Sequence, residues 1–167
     1  MFYSLNDFLK SWLYESGITL KLFNNLTDES LNQEITEENW TLGRVSWHIV
    51  TAIRSMTSGS DLAFVAESED FPVPPSAKFI ADSYSQATEA LFNAVVNQWT
   101  DENLTQTVDF FGQEMTNGMM LQFLIQHQIH HRGQMTVLMR QAGLTIPGIY
   151  GPSKEEWAQM GMEAPKM

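Results

Sequence analysis

Histidines are the residues of this chain with the clearest potential for chemistry, and three of the four lie within five positions. His127, His130 and His131 fall in a segment whose apolar spacing predicts a helix. At about 100° per residue, His127 and His131 lie one turn apart in the middle of the apolar face, with His130 at its flank. Two imidazoles on a core face are unfavourable unless both are satisfied. They are therefore either hydrogen-bonded core histidines or a His-x₃-His metal pair.

His48 is the remaining histidine, and it lies at the edge of the apolar face of an earlier helix. There the ring either packs beside Trp47 or points into a cleft between two helices. Three neutral imidazoles would leave at least one coordination position of a metal open, which is typical of catalytic zinc sites. Imidazole also suits nickel, copper and ferrous iron, so these residue types do not identify the metal.

Several other chemistries are excluded by residues that the chain lacks. It has no cysteine, which rules out thiolate metal sites, cysteine nucleophiles and disulfides. Gln128 stands where the HExxH motif has its glutamate, so the general base of that motif is missing. The paired Glu-x-x-His pattern of di-iron bundles is also absent. Phe110, Phe111 and Phe123 are predicted to be core residues rather than part of a site.

Charge and length limit the function further. The net charge of −11 argues against nucleic acid, whose binding needs clustered Lys and Arg, and against anionic membranes. The length of 167 residues suits one domain over residues 1–167. No signal peptide or membrane span is recognisable at the start or elsewhere, so we expect a cytoplasmic protein.

Long helices have to position the histidines, because apolar residues recur at intervals of three and four almost throughout. The pattern predicts four long helices: one with an apolar stripe from Leu5 to Phe23, and three that run from Thr41 to about Ser58, from Ser76 to about Trp99 and from Thr116 to about Gln141. It also predicts a short helix that begins at Ser153. Residues 108–112 are predicted to form a brief strand or a buried loop. The fold class is therefore all-α, a four-helix bundle, with two long loops that could cover one end.

Three blocks of the sequence resemble the DinB/YfiT-like family of metal-dependent bundle proteins. Residues 40–48, Trp-Thr-Leu-Gly-Arg-Val-Ser-Trp-His, are similar to the family's second-helix block, which ends in a ligand histidine. Phe110-Phe-Gly together with His127-x₃-His131-Arg-Gly-Gln is similar to its second ligand block. Residues 138–147, Leu-Met-Arg-Gln-Ala-Gly-Leu-x-x-Pro, are similar to its ending.

The resemblance implies an up-down-down-up bundle and one divalent ion, such as zinc, nickel or iron, on His48, His127 and His131. Characterised members of the wider superfamily add bacillithiol to electrophiles or isomerise with mycothiol. The resemblance thus favours a low-molecular-weight-thiol S-transferase with a small-molecule substrate and a small thiol cosubstrate. A hydrolase with metal-activated water and a non-enzymatic metal-binding or sensing protein are the alternatives. Gln128 departs from members that carry Glu there, so the catalytic acid or base is unassigned.

A homodimer is predicted as well. Phe2, Tyr3 and Tyr14 give the first helix more apolar surface than one bundle face requires, and family members often pair.

Overall fold

The structure, a computed structural model, describes residues 1–166. Four α-helices make up most of it: α1 Leu5–Phe23, α2 Leu42–Met56, α3 Ala77–Gln98 and α4 Asn117–Gln141. An antiparallel hairpin precedes α4, with strands β1 Thr107–Phe110 and β2 Gln113–Thr116. Short 3₁₀ helices occupy three connections: Ser30–Asn32, Asp101–Thr105 and Ala158–Met160. The four predicted long helices are confirmed, and the segment at 108–112 forms a strand and its turn.

Short polar side chains begin three of the four helices. The hydroxyls of Thr41, Ser76 and Thr116 each accept a hydrogen bond from the backbone N–H three residues further on. Such caps satisfy donors that have no partner within the helix. After α4, Gly143 takes the left-handed conformation (φ 75°), as expected of a residue that ends a helix. These local signals set the helix boundaries close to where the sequence predicts them.

The bundle has the predicted up-down-down-up connectivity. α1 and α2 each pack against both α3 and α4. The N–H of Phe2 donates to the carbonyl of Gly118 (3.2 Å), so α1 and α4 begin at the same end. At the other end, Asp28, which follows α1, accepts from the first turn of α3 (2.7 Å). Trp47 packs on Phe79 there, with ring centroids 6.1 Å apart, so α2 and α3 begin together.

The C-terminal segment differs from the prediction in detail. The short helix expected from Ser153 is reduced to turns followed by the 3₁₀ helix Ala158–Met160. The Glu156 carboxylate accepts from the N–H of Ser153 (3.0 Å) and also from that of Gly148 (2.8 Å). It therefore ties this segment back onto the preceding loop instead of starting an α-helix. Within residues 1–166, no helix combines the length and apolar character needed to cross a membrane.

Candidate metal centre

Three histidines meet in the cleft between α2 and α4. The Nε2 atom of His127 lies 3.2 Å from Nε2 of His48 and 3.1 Å from Nε2 of His131. One nitrogen from each of the three residues falls within 4.8 Å of the others, an arrangement that could hold a metal ion. His130 is exposed and lies outside this group. The structure therefore brings together the three predicted ligand residues, while His130 packs edge-on against His131 from outside the group.

The spacing of these nitrogens suits a divalent ion. Zinc–imidazole bonds of about 2.0–2.1 Å in tetrahedral geometry put neighbouring nitrogens about 3.3 Å apart. The two distances to His127 Nε2 are close to this value. A neutral imidazole carries one N–H, so the His127 nitrogen is able to donate to at most one of its two neighbours. A cation among the three lone pairs would satisfy all of them.

Two side chains orient the ligand rings from behind. Nδ1 of His48 lies 3.1 Å from the Asp70 carboxylate, and Nδ1 of His131 lies 2.7 Å from the amide oxygen of Gln134. Because these oxygens accept, both rings carry their proton on Nδ1 and present the Nε2 lone pair to the cleft. Nδ1 of His127 is buried and has no hydrogen-bond partner among residues 1–166. Gln134 stands one helical turn from His131, a spacing visible in the sequence, whereas no sequence pattern identifies Asp70.

Asp70 also connects the second long loop, residues 59–75, to α2. Its carboxylate accepts from the Arg44 guanidinium (2.9 Å) and from the Thr51 hydroxyl. Burial raises the pKa of Asp70, but hydrogen bonds from Thr51, Arg44 and His48 outweigh that effect and lower the pKa below its ordinary value. Asp70 therefore remains a carboxylate at neutral pH, the form that accepts the His48 proton.

Aromatic rings from both long loops cover this side of the cleft. Trp40 stacks on His131 with an interplanar angle of 11° and meets His48 edge-on. The Arg44 guanidinium lies 4.2 Å from the Trp40 ring centroid and 4.5 Å from that of Phe71. Such cation–π contacts hold residues 24–40 and 59–75 against the start of α2. Both loops thus supply residues to the site.

Burial favours the neutral form of two of the ligand rings, His127 and His131. Burial, together with the smaller effect of the neighbouring rings of His131 and His48, lowers the pKa of His127 to about 4. Burial also lowers the pKa of His131, in opposition to its hydrogen bond with Gln134. Neutral rings at pH 7 are the form that binds metals.

Two cavities border the three histidines. The larger, about 520 Å³, is lined by His131, Gln134 and residues of the first loop, including Trp40. The smaller, about 360 Å³, is lined by His48 and His127 together with three phenylalanines, Phe110, Phe111 and Phe123.

The prediction that these three phenylalanines are core residues is correct only for Phe110. That ring is buried, but Phe111 is 72% exposed and Phe123 is 46% exposed. Phe111 is exposed because it lies in the turn of the hairpin, which carries it away from the bundle interior.

Gln128 takes no part in the cleft, although it adjoins His127 in sequence. It is fully buried and faces α1 and α3, where its amide oxygen accepts from the Tyr84 hydroxyl (2.5 Å) and from Thr19 (3.4 Å). Burial raises the pKa of Tyr84 above its ordinary value, so the phenol stays protonated and donates. The residue at this position is structural in this chain.

A buried ion pair lies beside this network. Arg132 is 1% exposed and donates from Nη2 to the Glu15 carboxylate (2.6 Å) and from Nη1 to Thr19 (3.1 Å). The Tyr150 hydroxyl donates to the same carboxylate (2.8 Å). Together these bonds connect α1, α4 and the C-terminal segment.

The structure defines a class of protein: an all-α, four-helix bundle whose second and fourth helices bring three histidines together. The chain belongs to the DinB family, whose sequence model matches residues 1–167. It is 65% identical to the uncharacterized protein YrdA of Bacillus subtilis over the whole of both chains. It is also 23% identical over 147 residues to the uncharacterized protein YjoA of the same organism, covering 84% of this chain and 92% of that one.

Two solved structures resemble the bundle. A DinB-like protein from Bacillus cereus is 56% identical and superposes with a TM-score of 0.88, covering 90% of this chain and 100% of that chain. The DinB-like protein YjoA from Bacillus subtilis is 22% identical with a TM-score of 0.66, covering 86% and 96% respectively, and supports the fold alone.

Proposed function

We propose that the protein is a divalent-metal-dependent S-transferase that joins a low-molecular-weight thiol, of the bacillithiol type, to a small electrophile. His48, His127 and His131 are the proposed ligands. The observation that carries the proposal is the convergence of three Nε2 atoms, with two of the rings held in the metal-binding tautomer by Asp70 and Gln134. The proposal places the protein in the cytoplasm, where such thiols are kept reduced.

A divalent ion bound at this site would supply positive charge that lowers the pKa of a thiol reaching its open coordination position. The protein contributes three neutral ligands that leave this charge undiminished, and no cysteine competes with the cosubstrate. Trp40 and the two loops shield one side of the cleft from water. In the reaction, the thiol sulfur forms a bond to the electrophilic carbon as the leaving group departs with its bonding electrons. The thiol proton passes to solvent.

Space for two reactants supports the proposal over a hydrolase. The two cavities border different members of the histidine group, one at His131 and the other at His48 and His127. A transferase needs separate binding sites for the thiol and the electrophile, whereas the water used by a hydrolase needs no cavity of its own. Zinc, nickel and ferrous iron all suit the three imidazoles.

The transferase is tested with metal-loaded protein, a small electrophile and, in turn, bacillithiol, glutathione and cysteine, following thiol loss. We expect one thiol to react faster than without protein, and the acceleration to disappear with a chelator and in His127→Ala. His130→Ala is the matched control and should keep full activity. If the loaded protein accelerates none of these reactions, the transferase is wrong, and the hydrolase or the metal-binding protein becomes the better proposal.

The metal-free protein should lose stability as pH falls from 7.5 to 5.5. In the unfolded chain a histidine titrates near pH 6.5, whereas the pKa of folded His127 is about 4, so acid adds a proton to the unfolded state alone. The expected loss from this ring is about 1 kcal/mol, reduced from the full linkage because solvent screens a half-buried group.

Urea unfolding of wild type and His127→Ala at both pH values measures this contribution. The variant should show the smaller pH dependence. An equal dependence in the two proteins would contradict the lowered pKa.

We also propose that the protein is a homodimer paired through α1. Tyr3, just before this helix, and Leu13 and Tyr14 on it are exposed, more apolar surface than a solvated helix usually shows. Phe2 does not add to this surface as predicted, because it is half-buried against Phe8. Light scattering at micromolar concentration should give twice the mass of the chain, and Leu13→Glu should shift the protein toward monomer. A monomer mass for the wild type would refute the dimer.

A further inference from the structure

The backbone of Phe111 adopts a conformation that phenylalanine rarely takes. Phe111 and Gly112 form the two-residue turn between β1 and β2, with φ values of 52° and 81°. Positive φ at both positions is typical of a type I′ turn, whose first position favours Asn, Asp or Gly. A bulky residue there is strained, and such strain persists where function or packing demands it.

Core packing does not explain the strain. Phe111 is 72% exposed, and within residues 1–166 its one aromatic neighbour is Phe110, edge-on at 4.8 Å between centroids. A residue that adopts an unfavourable backbone and still leaves most of its ring in solvent gains little for the fold. The ring instead lines the smaller cavity beside the histidine group.

That cavity has a lining rich in aromatic side chains. Phe110 and Phe123 meet edge-on at 5.5 Å, and with Phe111 and Met56 they form the apolar part of the lining that His48 and His127 complete. Its other polar residues, Ser55 and Gln113, are uncharged. No Asp, Glu, Lys or Arg is among the lining residues that the structure describes. The larger cavity differs in charge, because Glu38 contributes a carboxylate to its lining.

We propose that the smaller cavity binds a neutral aromatic ring of the electrophile, and that Phe111 and Phe123 determine this specificity. The inference rests on the proposed transferase and names the substrate class that it accepts. Aromatic rings pack favourably edge-on or offset against phenylalanine, and a cavity of about 150 Å³ already holds benzene. The volume of about 360 Å³ therefore takes a group of one or two rings. A ring held here lies against His48 and His127, which brings its reacting carbon to the site of the thiol.

Binding is tested without any reaction. Zinc-loaded protein is titrated with 1,3-dinitrobenzene, a neutral and unreactive probe, by calorimetry and by saturation-transfer NMR. The test variant is Phe111→Asn, because Asn-Gly is preferred in this turn, and the control is Phe79→Ala, which removes an exposed ring from the first turn of α3.

We expect the probe to bind about five-fold more weakly to Phe111→Asn, with Tm unchanged or raised, and unchanged to Phe79→Ala. An unaltered Kd in Phe111→Asn would overturn the proposal, as would the absence of probe binding to the wild type.

Turnover separates this inference from the transferase itself. With 1-chloro-2,4-dinitrobenzene as electrophile, Phe111→Asn should raise KM, whereas with iodoacetamide, which has no ring, it should not. If the wild type turns over both electrophiles and Phe111→Asn alters neither, the transferase stands and the aromatic cavity is wrong. If neither reacts but the probe still binds in a Phe111-dependent manner, the transferase fails and the cavity stands as an aromatic binding site.

Discussion

Replacing His127 by alanine should abolish stoichiometric metal binding. Its Nε2 atom lies within 3.2 Å of the corresponding atoms of both His48 and His131, so it is the ligand that connects the other two. Two imidazoles on different helices bind a divalent ion far more weakly than three. Metal content is measured by elemental analysis after dialysis of the purified protein, and the wild type should retain one ion per chain.

A graded set of variants tests whether the ligand set is correct. His48→Ala and His131→Ala should lose the ion as His127→Ala does, whereas the exposed His130→Ala should keep it. Asp70→Asn should retain the ion but bind it about ten- to a hundred-fold more weakly, since it keeps all three ligands and weakens the acceptor behind His48. Full metal content in His131→Ala would show that the assignment is wrong.

Removing the partner of Arg132 should destabilise the protein by about 3–5 kcal/mol, the range found when a buried charge is left unpaired. Arg132 is 1% exposed, and Glu15 is its charged partner at 2.6 Å. In Glu15→Ala the guanidinium would remain buried, and the Tyr150 hydroxyl would lose its acceptor as well. Urea unfolding gives the change in the free energy of unfolding.

Two comparisons show whether the loss of stability comes from leaving a buried charge unpaired or simply from removing an ion pair. The double variant Glu15→Leu with Arg132→Met should recover most of the lost stability, because well-packed apolar residues often replace a buried pair without loss. Asp82→Ala removes an exposed pair with Lys78 at 2.6 Å and should change stability by about 0.5 kcal/mol. A loss below about 1 kcal/mol in Glu15→Ala would mean that solvent reaches Arg132.

The amino-acid sequence by itself determined the helices and the position of two of the histidines on them. Apolar spacing, capping hydroxyls such as Thr41 and Thr116, and the ending glycine Gly143 are local signals, and they act within one or two turns of chain. For the same reason, helical geometry alone placed His127 and His131 on one face. Apolar spacing allowed two placements of the His48 ring, beside Trp47 or in a cleft between two helices, and the family resemblance selected the cleft.

Only the tertiary structure decided how the site is supported. Asp70 reaches His48 across 22 residues, and Trp40 stacks on His131 from a loop that begins after α1. No local periodicity encodes these partners, because the positions of loop residues depend on contacts with distant helices. The exposure of Phe111 was misjudged for a related reason. Hydrophobic character predicts burial on average, but the turn between two paired strands directed this ring outward.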